Sequence, residues 1–230
     1  MTLLINGCSC ARVWNASKNF QEKLNCSSTV NIGKDGTSFA RTLRSTIEWV
    51  AQNGNPKFAV IPITYAHRWE MAIAKRDDPL DGTWHPVLEE PNLGLDKIDL
   101  GMVPENKYKE LVSHYHGCVP NIRNYWDKMF TDIILLASFF ESRNIKYIMF
   151  DMMNNFERKH MRGYKAITKL KLIENNKNII DLFDFCGNYF MFNKLPENRR
   201  KNVDPYLWHH QNHEYEHLEN YIITYLNPRL

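Results

Sequence analysis

The sequence predicts an α/β protein of three layers, α/β/α, with a central parallel sheet between two layers of helices. Three observations carry that expectation. Short apolar runs alternate along the chain with longer stretches of helical spacing. One run, Lys57-Phe58-Ala59-Val60-Ile61-Pro62-Ile63, is apolar on both faces, as a central parallel strand covered on each side must be. The first run, Leu3-Leu4-Ile5, stops abruptly in Asn6-Gly7-Cys8-Ser9-Cys10-Ala11, which reads as a buried strand feeding a tight turn with a hydroxyl at its tip.

The elements follow in order. Residues 2–6 are the first strand. Ala11 to Leu24 has helical spacing, with Val13, Trp14, Phe20 and Leu24 as its apolar members. Ser28 to Ile32 is a short β-prone run and the second strand. A turn of small residues, Gly33 to Ser38, leads to a helix with Phe39, Leu43, Ile47 and Val50 on one face; Thr37 or Ser38 is its N-cap, and Gly54-Asn55-Pro56 ends it. The third strand is the run at 57–63. Residues 71–122 are rich in Pro, Gly, Asp and Trp and weak in periodicity, so they are expected to be an excursion over the carboxyl edge of the sheet, with a short helix near 105–116. Within it Trp84, in Thr83-Trp84-His85-Pro86, is a candidate pocket residue. The longest amphipathic helix covers 122–143, with Trp126, Phe130, Ile133, Ile134, Ala137 and Phe140. Ile145 to Phe150 is the fourth strand and ends at Asp151. Residues 155–182 are polar with helical pieces. Asn188 to Phe192 is a candidate edge strand, and Pro196 to Pro205 a loop. A final helix from about Gln211 to Leu226 turns Leu218, Tyr221, Ile222 and Tyr225 inward. There is no internal repeat, and residues 1–230 are expected to form one domain.

Composition narrows the function classes. The chain is 43% hydrophobic and 24% charged, ordinary for a globular protein, and its 13% aromatic content supplies a substantial core. The net charge of +3 is small and scattered, with one modest cluster at Arg199-Arg200-Lys201, which argues against nucleic acid or a membrane surface as partner. No apolar run approaches the roughly 18 residues that would span a bilayer. The N-terminal apolar segment is short for a signal peptide and has no basic leader, so a cytoplasmic protein is expected. Five cysteines without a paired framework are expected as reduced thiols.

Sites in parallel α/β sheets lie beyond the carboxyl ends of the strands. This chain brings there Ser9, Gly36-Thr37-Ser38, Thr64 to Arg68, Asp151, and through its last loop His209 and His210. A serine hydroxyl is a weak nucleophile until a histidine takes its proton, and the tetrahedral intermediate then needs donors aimed at its oxyanion. The amides of Ser9 and Gly36, both in tight turns, are suitable. Ser9 otherwise caps the helix after the first strand. Arg68 is a candidate for binding substrate or a carboxylate, or else pairs with Glu70 or Asp35. Asp151 either orients a histidine or caps a helix.

In these residues the chain resembles the SGNH (GDSL-type) hydrolase family, in particular its divergent members from phages and related viruses. The family's first block, Gly-Asp-Ser, is matched by Gly7-Cys8-Ser9. Gly36-Thr37-Ser38-Phe39-Ala40-Arg41 looks like an arginine-bearing form of the second block, whose glycine amide serves the oxyanion hole. Pro62-Ile63-Thr64-Tyr65 stands where the third block brings an Asn, and Arg68-Trp69-Glu70 is similar to the viral pattern. Loss of that Asn removes a donor worth roughly 3–4 kcal/mol of transition-state stabilisation; Thr64 is the donor available in its place. The fifth block normally reads Asp, two residues, His. Here His209 or His210 fits, and the nearest acid is Asp204, five residues before His209.

The resemblance implies a flavodoxin-like SGNH hydrolase fold and an esterase or acetylesterase acting on a small ester or an acetylated carbohydrate. Ser9 would be the nucleophile, His209 or His210 the base and Asp204 its orienting acid, with no cofactor. It also implies virion association for a viral member, as a component or homo-oligomer. A non-catalytic structural or glycan-binding protein on the same fold is the second reading. A third is metal binding: His213-Glu214-Tyr215-Glu216-His217 matches the His-Glu-x-x-His pattern, whose histidines share a helix face. Zincins need a third ligand downstream. Only thirteen residues follow His217, and Glu219 is the only acid among them.

Overall fold

The computed structural model describes residues 1–34, 37–64, 66, 69–74, 82–87, 106–107, 110, 122–151, 155–156, 166–182 and 212–226. Its centre is a five-stranded, all-parallel sheet of β1 (Thr2–Ile5), β2 (Ser28–Asn31), β3 (Phe58–Ile63), β6 (Lys146–Asp151) and β7 (Ile179–Asp181) in the order β2-β1-β3-β6-β7. A separate antiparallel pair is made by β4 (Trp69–Ala74) and β5 (Gly82–Val87). The helices are α1 (Ser9–Arg12), α2 (Lys18–Lys23), α3 (Phe39–Asn53), α4 (Ile122–Ser142), α5 (Ala166–Glu174) and α6 (Asn212–Leu226).

The predicted three layers are present, and strand alternation makes them. Leu3, Ile5, Phe58, Val60, Ile148, Phe150 and Ile180 face one core, closed by α1, α2, the link between them and α6 through residues such as Trp14, Phe20, Leu218 and Ile222. Leu4, Ala59, Ile61, Ile63, Tyr147, Met149 and Ile179 face the other, closed by α3, α4 and α5 through Phe39, Val50, Phe130, Ile133, Leu170 and Ile173. Every residue of β3 is buried, as its unbroken apolar run requires. Among the main strands taken in chain order the arrangement is 2-1-3-4-5, the doubly wound order.

Several elements differ from expectation for identifiable reasons. The expected helix from Ala11 to Leu24 is two. Asn31 at the end of β2 donates its side-chain amide to the carbonyls of Ala11 (2.6 Å) and Trp14 (2.8 Å), which ends α1. Ser17, in an extended conformation, then caps α2 by accepting from Phe20 N. On α3, Ile47 lies outside and Thr42 and Thr46 are buried instead. On α6 the inward stripe is Tyr215, Leu218, Ile222 and Leu226, while Tyr221 is exposed and Tyr225 partly so. The start of the expected irregular excursion holds the β4–β5 pair. Pro86 is tolerated there because each strand of a two-stranded sheet has an edge needing no donor. The fifth strand, β7, is three residues long, too short to show a period. The candidate edge strand at 188–192 lies outside the described residues, as do most of 105–116 and the rest of the excursion beyond β5. Among the described residues no helix is long and apolar enough to cross a membrane.

Candidate functional site

Strand order reverses between β1 and β3. The chain leaves β1 for β2 on one side and returns to β3 on the other, so the crevice beyond their carboxyl ends is where such folds bind ligands. The ladder itself stops there. Asn6 N donates to Val60 O at 3.2 Å, so Pro62, two residues on, turns its donor-less nitrogen to the same side. β1 loses its partner and the chain turns out through Gly7, Cys8 and Ser9, with Ser9 opening α1. Gly7 has φ +156°, and a Cβ there would stand 3.0 Å from both the Pro62 carbonyl oxygen and Ala11 Cβ.

Asn6 fixes this turn from inside the protein. It is fully buried. Its Oδ1 accepts from Gly7 N (2.9 Å) and Arg41 Nη1 (3.0 Å). Its Nδ2 donates to the Thr42 carbonyl, Ser45 Oγ and Thr46 Oγ1 at 2.8–3.0 Å. A fully satisfied buried network of this kind holds one geometry. From outside, the loop after β2 straps the turn down. Lys34 N donates to Gly7 O at 3.0 Å, and Gly33 lies so close to α1 that a Cβ would stand 2.7 Å from Arg12 N.

Two of the predicted site residues in the same loop are described, Thr37 and Ser38. Thr37 is buried and its hydroxyl donates to the Lys34 carbonyl. Ser38 is the N-cap of α3, its Oγ accepting from Arg41 N at 3.2 Å. Thr64, fully buried, follows β3, the strand that neighbours the one Ser9 follows. Its carbonyl accepts from Asn155 Nδ2 at 3.0 Å. Asn155 also donates that amide to Asp151 Oδ1 (2.7 Å) and accepts from Ala66 N through Oδ1 (3.1 Å). Asp151 Oδ2 takes the amides of Asn155 (2.5 Å) and Phe156 (3.2 Å). Asp151 therefore caps the turn after β6, and with Asn155 it fixes the Thr64 loop.

Helix α6 reaches this edge as well. Tyr215 OH donates to the Cys10 carbonyl at 2.7 Å, one residue past Ser9. Near its other end, Tyr225 OH donates to Lys177 O, just before β7 begins. The helix thus runs antiparallel to the strands, and its N-terminal end sits at their carboxyl edge. Glu219 is buried, its Oε1 accepting from Trp14 Nε1 and Ser17 N, both at 2.9 Å. Residues 213 and 217 lie one turn apart on α6, and His217 is exposed. Among the described residues no cluster of three His, Cys, Asp or Glu could hold a metal. Cys8, Cys10 and Cys26 are buried thiols.

Ser9, Thr37, Ser38 and Thr64 are thus gathered along the carboxyl edges of β2, β1 and β3. Gly36, Arg68, Asp204, His209 and His210 lie outside the described residues. Sequence reasoning passed over Asn6, Asn31 and Asn155, and met Tyr215 and Glu219 only in weighing the His-Glu-x-x-His pattern. The available signal was an asparagine ending each of two short strand runs, a polar residue placed where a ladder stops. No protein-family model matches this chain, and no curated protein matches it. The kinship on view is that of the fold, an α/β protein with a five-stranded parallel sheet.

Proposed function

We propose that the protein is a serine hydrolase of SGNH type, an esterase or acetylesterase acting on a small ester or an acetylated glycan. The observation that supports it is Ser9's position. It follows the strand-to-helix turn at the crevice where the order of a doubly wound parallel sheet reverses. The resemblance of Gly7-Cys8-Ser9 to the family's first block gives that position a chemistry.

In this reading Ser9 Oγ bonds to the ester carbonyl carbon while His209 or His210, oriented by Asp204, takes its proton. The amides of Ser9 and Gly36, with Thr64, stabilise the oxyanion. The protonated histidine returns its proton to the departing alcohol as the ester C–O bond breaks. Water, deprotonated by the same histidine, then releases the acyl group as a carboxylic acid and restores Ser9. The start of α6 at the carboxyl edge also favours this reading, because His209 and His210 precede Asn212 by three and two residues.

The test is p-nitrophenyl acetate turnover by wild type and Ser9→Ala, with labelling by a fluorophosphonate. Expected are turnover and labelling that both disappear in Ser9→Ala. Equal rates from the two proteins would remove Ser9 as nucleophile and leave the non-catalytic glycan-binding reading.

A further inference from the structure

We infer that Tyr215, braced by Glu219, is a positioning residue for the Ser9 turn; the inference rests on the hydrolase reading above. Helix α1 is four residues long, far too short to hold its own shape. Its carbonyls show this. Trp14 N donates to Ala11 O at 3.0 Å, the tighter three-residue step with which short helices end. Tyr215 OH donates to the Cys10 carbonyl at 2.7 Å. Asn31 serves the carbonyls of Ala11 and Trp14 in the same way. The conformation of the segment that opens with Ser9 is therefore set by side chains from elsewhere.

Tyr215 is itself fixed. Its ring stacks on Trp14 with centroids 5.4 Å apart and planes 23° from parallel. Trp14 in turn donates to Glu219, one turn along α6 from Tyr215 and on the same face. Glu219 also receives Ser17 N, so the pair grips both ends of the segment from Cys10 to Ser17. The same helix is joined, two residues before its start, to the histidines that would serve Ser9. One helix thus holds both ends of the segment that follows Ser9. Misplacement of a reacting atom by about 1 Å can cost a hundredfold in rate.

The test uses the full chain. Tyr215→Phe keeps the ring, its stacking and its burial and removes a single O–H. Expected is a kcat for p-nitrophenyl acetate lowered about tenfold or more, with KM within about twofold and the pH profile of kcat unshifted. Backbone amide exchange over residues 9–12 should also be faster than in wild type. Glu219→Ala should act in the same direction. Glu219→Gln, which retains an oxygen for Trp14 and Ser17, should restore most of the lost kcat. Wild-type kcat and exchange in Tyr215→Phe, in a protein that Ser9→Ala inactivates, would overturn the inference while leaving the hydrolase reading intact. Absence of Ser9-dependent turnover in wild type would reject the hydrolase reading, and positioning for catalysis with it.

Discussion

The side chain of Asn6 and the guanidinium of Arg41 meet at 3.0 Å, and the Asn6 oxygen that receives Arg41 Nη1 also receives the amide of Gly7. Arg41 Nη1 donates in addition to the Ile32 carbonyl at 2.8 Å. That buried oxygen and Arg41 Nη1 together join the end of β1, the end of β2 and the first turn of α3. This explains structurally an arginine that the sequence offered only as part of a motif.

Removing that oxygen should be costly. Asn6→Ala leaves Gly7 N without its acceptor and strips a hydrogen-bonding partner from Arg41 and from the Ser45 and Thr46 hydroxyls. The expected loss is about 2–4 kcal/mol of stability, read from urea denaturation. A double-mutant cycle with Arg41→Ala should show coupling of about 0.5–3 kcal/mol, because the two residues share one network. Additive losses would mean the contact is incidental.

Two glycines should resist substitution for steric reasons. In Gly7→Ala the new methyl meets the Pro62 carbonyl and Ala11 Cβ at 3.0 Å, in a backbone conformation that glycine favours. In Gly33→Ala it meets Arg12 N at 2.7 Å and Ala11 C at 2.9 Å, backbone atoms that cannot swing aside. Each should lose about 1–3 kcal/mol, with Gly33→Ala the worse. Thermal melts that rank them the other way would show that the loop after β2 moves more easily than the turn after β1.

One carboxylate gives a pH dependence of known sign. Burial lifts the Asp132 carboxyl above its ordinary value, with Lys128, 3.7 Å away, opposing the shift. A folded value above the unfolded one means the folded chain holds the proton more tightly. Stability is then fullest below the unfolded carboxyl range and falls as pH rises through the folded value. Asp132→Asn removes that slope and loses only a part-exposed ion pair of small worth. The variant should therefore be more stable than wild type at pH 7, and the difference should shrink below about pH 4. Denaturation midpoints at the two pH values check it.

Much of the fold was legible because it rests on periodicities. The unbroken apolar run at Phe58–Ile63 marked a central strand, and the spacing through Phe130, Ile133 and Phe140 marked the long helix. Ser38 and Gly54 were readable as the cap and the stop of α3, since the backbone chemistry that favours them is local. The break between α1 and α2 was not legible. It is imposed by Asn31, a residue nearly twenty positions away, and no local pattern records it.

The candidate site divides along the same line. By itself the sequence determined that a serine follows the first strand and that small polar residues follow the second, because strand ends and tight turns have local signatures. Only the tertiary structure decided that Asn6 is the hub of that turn, that Asp151 and Asn155 hold the Thr64 loop, and that α6 reaches back to Cys10 and Trp14. The reason is physical. A buried polar group is committed by whichever donors and acceptors packing brings within about 3 Å, and packing joined residues 205 positions apart.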